Sequence, residues 1–272
     1  MSRRLFCTLL ALALCASALG GCEKQPERGE FTTFAMDTVM DFTVYGSEKG
    51  CSAAHSIVAQ RLSDYEALLS ATREDSDISR VNRGAGQPVE VDHSVALLLG
   101  QALTLCQLTD GALDITAYPA VKAWGFTAGE HRVPPSAELA ELAANIDYTA
   151  VRLEGDTVTL PENVEIDLGA VAKGYVGDVL AGQVGLSSAL LDLGQSTIVA
   201  VGGKPDGSPW RVGIQDPAGE GYFAVIQLVD MAMGTSGVSV SFGSVSSGSG
   251  SSSRFPLSVP LLFSVTVALW MV

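Results

Sequence analysis

Glu165-Ile166-Asp167-Leu168-Gly169-Ala170-Val171-Ala172-Lys173-Gly174-Tyr175 is the stretch on which the reading of this chain turns. Val164 to Leu168 alternates apolar and acidic residues and reads as a strand. Gly169 then permits a turn with close backbone approach. A helix opens at Ala170 and carries Lys173 in its first turn. Unpaired backbone N–H groups, the helix dipole and the lysine ammonium converge at such a junction, which suits a phosphate or pyrophosphate. An ordinary capped helix is the competing reading of the same residues. The Ala170 carbonyl is a candidate ligand for a hard cation, because carbonyl oxygens suit Mg2+ or Ca2+.

The segments around this junction alternate between the two regular periods. Val39 to Tyr45 has period two and reads as a strand. Ile57, Val58, Leu62, Tyr65, Leu68 and Leu69 recur at helical spacing. Asp92 is placed to cap a helix through Val95, Leu98, Leu99, Ala102 and Leu105, stopped by Asp110-Gly111. Val151 to Leu160 reads as a hairpin turning at Gly155-Asp156. Further strands are expected at Ala189–Leu193, Thr197–Val201, Trp210–Ile214 and Phe223–Val229. Strands joined as hairpins and interspersed with helices predict an α+β fold, with mixed sheets and packed helices.

Composition narrows the function. The chain has 272 residues and a formal net charge of −14, which excludes a nucleic-acid surface of the usual basic kind. Any anionic ligand must therefore be met by local features such as a lysine or a helix N-terminus. His55, His93 and His131 are isolated in sequence and read as solvated. Cys51 and Cys106 do not form a metal-type cluster, and Cys106 falls on an apolar helical pattern, as a small buried hydrophobe would.

The N-terminus reads as an export signal: Arg3 and Arg4, an apolar run from Leu5 to Leu19, then Leu19-Gly20-Gly21-Cys22. Small residues before a cysteine make Cys22 the expected site of diacylglycerol attachment, with residues 1–21 removed and 22–30 a tether. The mature chain would then sit on the extracytoplasmic face of a bacterial membrane.

Five segments stand in the order of one family's motifs: Phe34-Ala35-Met36-Asp37-Thr38-Val39-Met40; Leu69-Ser70 followed by Asp75-Ser76-Asp77-Ile78-Ser79-Arg80-Val81-Asn82; Asp110 to Thr116 with Pro119 and Trp124-Gly125-Phe126; Asp167 to Gly174; and Trp210 to Pro217 leading to Thr235-Ser236-Gly237. Together they resemble the ApbE family of FAD:protein FMN transferases. The first resembles the family's opening M-x-T strand, and the second its L-S…S-x-[IL]-S-R-x-N segment. Asp110-Gly111-Ala112-Leu113-Asp114-Ile115-Thr116, with Pro119 and Trp124-Gly125-Phe126, resembles D-G-x-x-D-I-T…P…W-G-F. Asp167 to Gly174 resembles D-L-G-x-x-x-K-G. Trp210 to Pro217, leading to Thr235-Ser236-Gly237, resembles W-x-V-x-I-x-x-P…T-S-G. The similarity runs from about Glu30 to Gly237, which makes 31–237 a partial transferase domain.

The resemblance implies FAD as substrate, Mg2+ as the metal, and a threonine-bearing flavoprotein subunit of a membrane redox complex as acceptor. By position it implies that Met36 touches the flavin and that Ala112, Leu113 and Asp114 line the ligand. It also implies that Asp167 and Lys173 meet polar groups of FAD, and that Ala170 offers its carbonyl to the metal. No catalytic residue is implied. Read from residues alone, Asp114-x-Thr116 is a local side-chain-to-backbone turn. Thr72 stands where the family often has an aromatic residue, and Leu193-Gly194-Gln195-Ser196 replaces an L-G-G-N loop.

After Gly237 the character changes. No Asp or Glu follows Asp230, and Arg254 is the sole charged residue of 238–272. Ser236–Ser253 is mostly Ser and Gly, a composition unable to bury enough surface to order itself. Phe255–Val272 is apolar with Pro256 and Pro260, a poor membrane span. The family's H-I-x-D-P-x-T-G motif and its metal-binding Asp and Thr have no counterpart in this stretch. Residues 238–272 therefore read as an aberrant tail outside the fold, of the kind a shifted reading frame produces. The expected function is FMN transfer, impaired in this chain. The alternatives are a non-catalytic flavin-binding lipoprotein or a non-functional product.

Lipidation is checked by mass spectrometry of the mature N-terminus. Diacylglycerol on Cys22, and release of soluble or unprocessed protein by Cys22→Ala, are the expected results; membrane retention without lipid on residue 22 contradicts the assignment.

Overall fold

The computed structural model describes residues 25–127, 130–216 and 221–235, with only the backbone described at Phe223. Cys22, Pro217, Ser236, Gly237 and the tail 238–272 lie outside these residues.

A five-stranded antiparallel sheet organises the domain. Its strands are β1 (Glu27–Ala35), β2 (Thr38–Gly46), β6 (Ala189–Asp192), β7 (Thr197–Val201) and β10 (Met231–Gly234), in the order β1-β2-β6-β7-β10. β1 and β2 form a nine-residue ladder from Glu27↔Gly46 to Ala35↔Thr38. Met36 and Asp37 form the two-residue turn between them, at φ 50° and 58°. Positive φ at both positions matches the right-handed twist of a tight hairpin but disfavours a side chain as long as methionine's.

Period-two alternation gives the sheet two apolar faces. Met40, Phe42, Val44, Ala189, Leu191 and Val199 face the main core. Above them lie α1 (Glu48–Leu69), capped by Ser47, and α6 (Gly169–Gln183), which presents Val176 and Leu180. α6 rides close to the sheet because residue 177 is glycine: a Cβ there would meet Val199 Cγ2 at 2.8 Å. On the opposite face Leu190, Ile198, Ala200 and Met233 pack against Trp210, Val212 and Leu228. These three belong to a separate hairpin of β8 (Trp210–Gln215) and β9 (Tyr222–Leu228).

A smaller sheet, β3-β5-β4, joins β3 (Pro88–Glu90), β4 (Arg152–Glu154) and β5 (Thr157–Thr159). Short helices surround it: α2 (Asp77–Arg83), α3 (His93–Leu108), α4 (Tyr118–Ala123) and α5 (Ser136–Ala143). Ser76 caps α2 and Asp92 caps α3, each accepting a backbone N–H from the first turn. Cys106 is fully buried, and burial pushes its thiol above the ordinary cysteine range.

Three sequence expectations change. Val164–Leu168 is not a strand. Ile166 is fully buried, but its N–H donates to Asn82 Oδ1 at 2.8 Å and its carbonyl accepts from Asn82 Nδ2 at 2.9 Å. A side-chain amide thus takes the place of a neighbouring strand. Lys173 lies in the second turn of α6, because the helix begins at Gly169. Glu27–Glu30, within the stretch read as a tether, pair with Thr43–Gly46 in β1. β1, β3 and β10 were not anticipated; β1 carries Arg28, Glu30 and Thr32 on its exposed side, which masks its apolar row.

Gly194 ties the β6–β7 connection to the β1–β2 hairpin. It sits at φ 84°, and a Cβ there would lie 2.4 Å from Thr38 Cγ2. Gly194→Ala combines left-handed strain with a steric clash, for a destabilisation of about 2–4 kcal/mol by urea unfolding. A change below about 0.5 kcal/mol contradicts this packing.

Candidate functional site

One cleft gathers the junction read from sequence with the tip of the first hairpin. It has a volume of about 270 Å³ and is walled by Met36 and Asp37 of the turn, Ser70–Thr72 after α1, Tyr118 and Val121 of α4, and Phe126. Its remaining wall is Asp167, Gly169, Ala172 and Lys173. Two of the predicted strand-helix residues, Asp167 and Lys173, therefore face the same space as Met36.

The electrostatics of the cleft are lopsided. Lys173 is the single Lys or Arg among its lining residues, beside the acidic Asp37, Glu66 and Asp167. Lys173 makes no ion pair among the described residues. Leu168 occupies the cap position of α6 and makes no side-chain capping bond, while the neighbouring Asp167 carboxylate accepts the Gly169 N–H. The positive end of a fifteen-residue helix thus lies next to an ammonium with no ion pair among the described residues, which fits a phosphate-bearing ligand.

Asp167 lies beside this helix end. Its Oδ1 accepts from Gly169 N at 3.2 Å. Burial raises its carboxyl above the usual carboxylate range, against the lowering effect of the Gly169 and Leu168 amides. Its own N–H donates to Ile115 O at 3.0 Å. Across the cleft, the Tyr118 hydroxyl donates to Ala71 O at 3.2 Å. Burial, followed by the charges of Asp167 and Glu165, raises the Tyr118 phenol above its ordinary range. Glu165 is itself held by Lys122 at 2.7 Å, and that ammonium lies 5.2 Å from the Tyr118 ring centroid. Phe126 stacks near Trp124 and His131 and is 67% exposed, leaving an aromatic face at the cleft.

The other predicted ligand contacts are placed elsewhere. Ala112 and Leu113 follow α3 outside the residues lining the cleft, with Leu113 packed against the main core. Asp114 builds a local turn: Oδ1 accepts from Thr116 N at 2.8 Å and Thr116 Oγ1 at 2.6 Å, while Oδ2 accepts from Tyr148 N at 3.0 Å. Ile115, the next residue, bonds Asp167, so this turn supports the cleft from behind. Ala170 is exposed at the second position of α6 and is not on the cleft wall. Among the described residues, no group of three or more His, Cys, Asp or Glu could hold a metal. The described residues therefore do not complete a divalent-cation site around Ala170. Tyr118 and Glu66 carried no motif signal in the sequence; each reaches the cleft through tertiary packing.

Comparison with known proteins gives the family and the fold. The model of the ApbE family matches residues 36–249, extending past Gly237, where the motif similarity had been read to end. The FAD:protein FMN transferase of Haemophilus influenzae is 30% identical over 257 residues, covering 86% of this chain and 72% of its own. The Treponema pallidum protein of the same name is 31% identical over 256 residues, covering 84% and 70%. The crystal structure of the ApbE protein from Thermotoga maritima superposes with a TM-score of 0.73 at 29% identity, covering 78% of this chain and 71% of that one. Flavin transferase ApbE from Vibrio cholerae superposes with a TM-score of 0.71 at 28% identity, covering 78% and 72%. With a family match over most of its length and the same fold, this chain belongs to the ApbE family.

Proposed function

We propose that the cleft binds FAD and that the parent activity is FAD:protein FMN transfer to a threonine of a target flavoprotein. The observation that carries this is the N-terminus of α6 beside Lys173, the one Lys or Arg among the described residues lining the cleft. A pyrophosphate there meets the helix dipole and the lysine ammonium together. Met36, held on the strained hairpin tip, borders the same space and is placed to meet the flavin ring. Asp167, half-buried and reluctant to ionise, is suited to hydrogen bonds with hydroxyl or ring N–H groups of the ligand. In the transfer, the acceptor oxygen forms a bond to the FMN phosphorus, the pyrophosphate bridge breaks, the hydroxyl proton is lost, and AMP leaves. The chain's contribution is chiefly positioning and charge stabilisation. Family relatives named FAD:protein FMN transferase support this reading.

The cellular setting is proposed on the same footing. Cys22 anchors the protein on the extracytoplasmic face of a bacterial membrane, where its partners are flavin-carrying subunits of membrane redox complexes. Mg2+ bound to the substrate would neutralise pyrophosphate charge.

Lys173→Ala is expected to weaken FAD binding by ~1.5–3 kcal/mol, the loss of a charge-assisted hydrogen bond, measured by calorimetry. Equal affinity in wild type and variant contradicts the site.

We further propose that this chain is impaired in transfer. Hard divalent cations normally take anionic oxygen ligands, and residues 231–272 carry no Asp or Glu. Incubating residues 23–272 with FAD, Mg2+ and a threonine-bearing acceptor is expected to leave the acceptor unlabelled. Robust FMN labelling that a chelator abolishes contradicts impairment.

A further inference from the structure

α2 carries two side chains whose hydrogen bonds go to two different segments at the cleft, Ser70–Thr72 and the residue before Asp167. Ser79 and Asn82 are spaced so that they share a helix face. Ser79 Oγ donates to Ala71 O at 3.0 Å, on the Ser70–Thr72 wall. Asn82 holds both backbone polar groups of Ile166, the residue before the cleft-lining Asp167. α2 itself is firmly seated. Ser76 caps it, and the buried Asp77 carboxylate pairs with Arg80 at 2.6 Å and accepts the Asp92 N–H. Arg80 also donates to Glu90 O at 3.0 Å, and Ile78 and Val81 are in the main core.

We propose that α2 is a bracket that sets the width of the cleft, with Ser79 and Asn82 as positioning residues for the ligand. This rests on the FAD reading above and assigns a role to the Ser76–Asn82 segment. Residue type matters at position 82. Ile166 is fully buried, offers a donor and an acceptor, and is paired with no strand among the described residues. Only a side chain with both an acceptor and a donor in one plane satisfies the pair, and the Asn amide has both. Without it, two buried polar groups lose their partners, and the segment relaxes to find others. Asp167 and the start of α6 move with it, because Asp167 follows Ile166 directly and bonds Gly169. The bracket therefore acts on the ligand through Asp167 and the helix end rather than by touching it.

The test measures FAD affinity by calorimetry for wild type, Asn82→Ala, Asn82→Asp and Val81→Ala, with Tm recorded for each. Val81 is a core residue of the same helix, 1% exposed, and its truncation lowers stability without altering either wall contact. Asn82→Ala is expected to raise the FAD Kd at least tenfold, while Val81→Ala at a comparable Tm loss stays within threefold of wild type. Asn82→Asp supplies a pH signature. Ionised, its carboxylate repels the Ile166 carbonyl; protonated, the carboxylic acid both accepts and donates as the amide does. Its Kd relative to wild type at the same pH is expected to recover as pH falls from 7 towards about 4, whereas that of Asn82→Ala does not. Asn82→Ala within threefold of wild type overturns the bracket, as does Val81→Ala losing as much affinity, or Asn82→Asp showing no recovery at low pH. Failure of wild type itself to bind FAD removes the FAD reading and the bracket with it.

Discussion

Ile166 is fully buried at a place where no strand among the described residues pairs with it. Leaving its N–H and carbonyl unpaired would cost about 1–3 kcal/mol for each group. The Asn82 amide removes that cost from a distant part of the chain. The Ile115 carbonyl then pins the next residue, Asp167. Position is thereby fixed for the carboxylate that lines the cleft and for the glycine where α6 begins. The cleft is a consequence of satisfying buried backbone, and its chemistry sits on the residues that this constraint holds still.

The same constraint explains how much the sequence disclosed. The strand and helix periods of Val39–Tyr45, Ile57–Leu69 and Ala189–Val201 survive because each element has one apolar face, so pattern and burial agree. Val164–Leu168 has the pattern of a strand and the burial of one, but its partner is a side chain 84 residues away. No local rule separates the two cases. β1 was hidden for the opposite reason: it is an edge strand whose outward row is charged, polar or exposed aromatic, and its inward row includes Gly29 and Thr33. β3 is three residues long, too short for periodicity to register.

The site was legible in part, and the parts differ in kind. Asp167 and Lys173 were readable from a strand-glycine-helix pattern because local geometry brings backbone N–H groups and lysine together. Met36 was indicated by family resemblance; its place at the cleft comes from a two-residue turn with both φ values positive. Asp114, by contrast, spends both carboxylate oxygens on backbone and hydroxyl donors within the protein, as the plain reading of Asp-x-Thr suggests. Tyr118 and Glu66 could not be singled out, since helical side chains reach a cleft only through the packing of elements distant in sequence. The acidic balance of the whole chain also takes on a local meaning here. Against a net charge of −14, the lysine at the N-terminal end of α6 marks where an anion is tolerated.

The account depends on the pyrophosphate, more than the flavin ring, being what the helix end and Lys173 recognise. Calorimetric affinities of this protein for FAD and for riboflavin, at matched pH and ionic strength, address that point directly. FAD binding at least tenfold tighter than riboflavin is the predicted result, with the difference shrinking as salt screens the phosphate contacts. Equal affinity for the two ligands, insensitive to salt, would contradict the assignment.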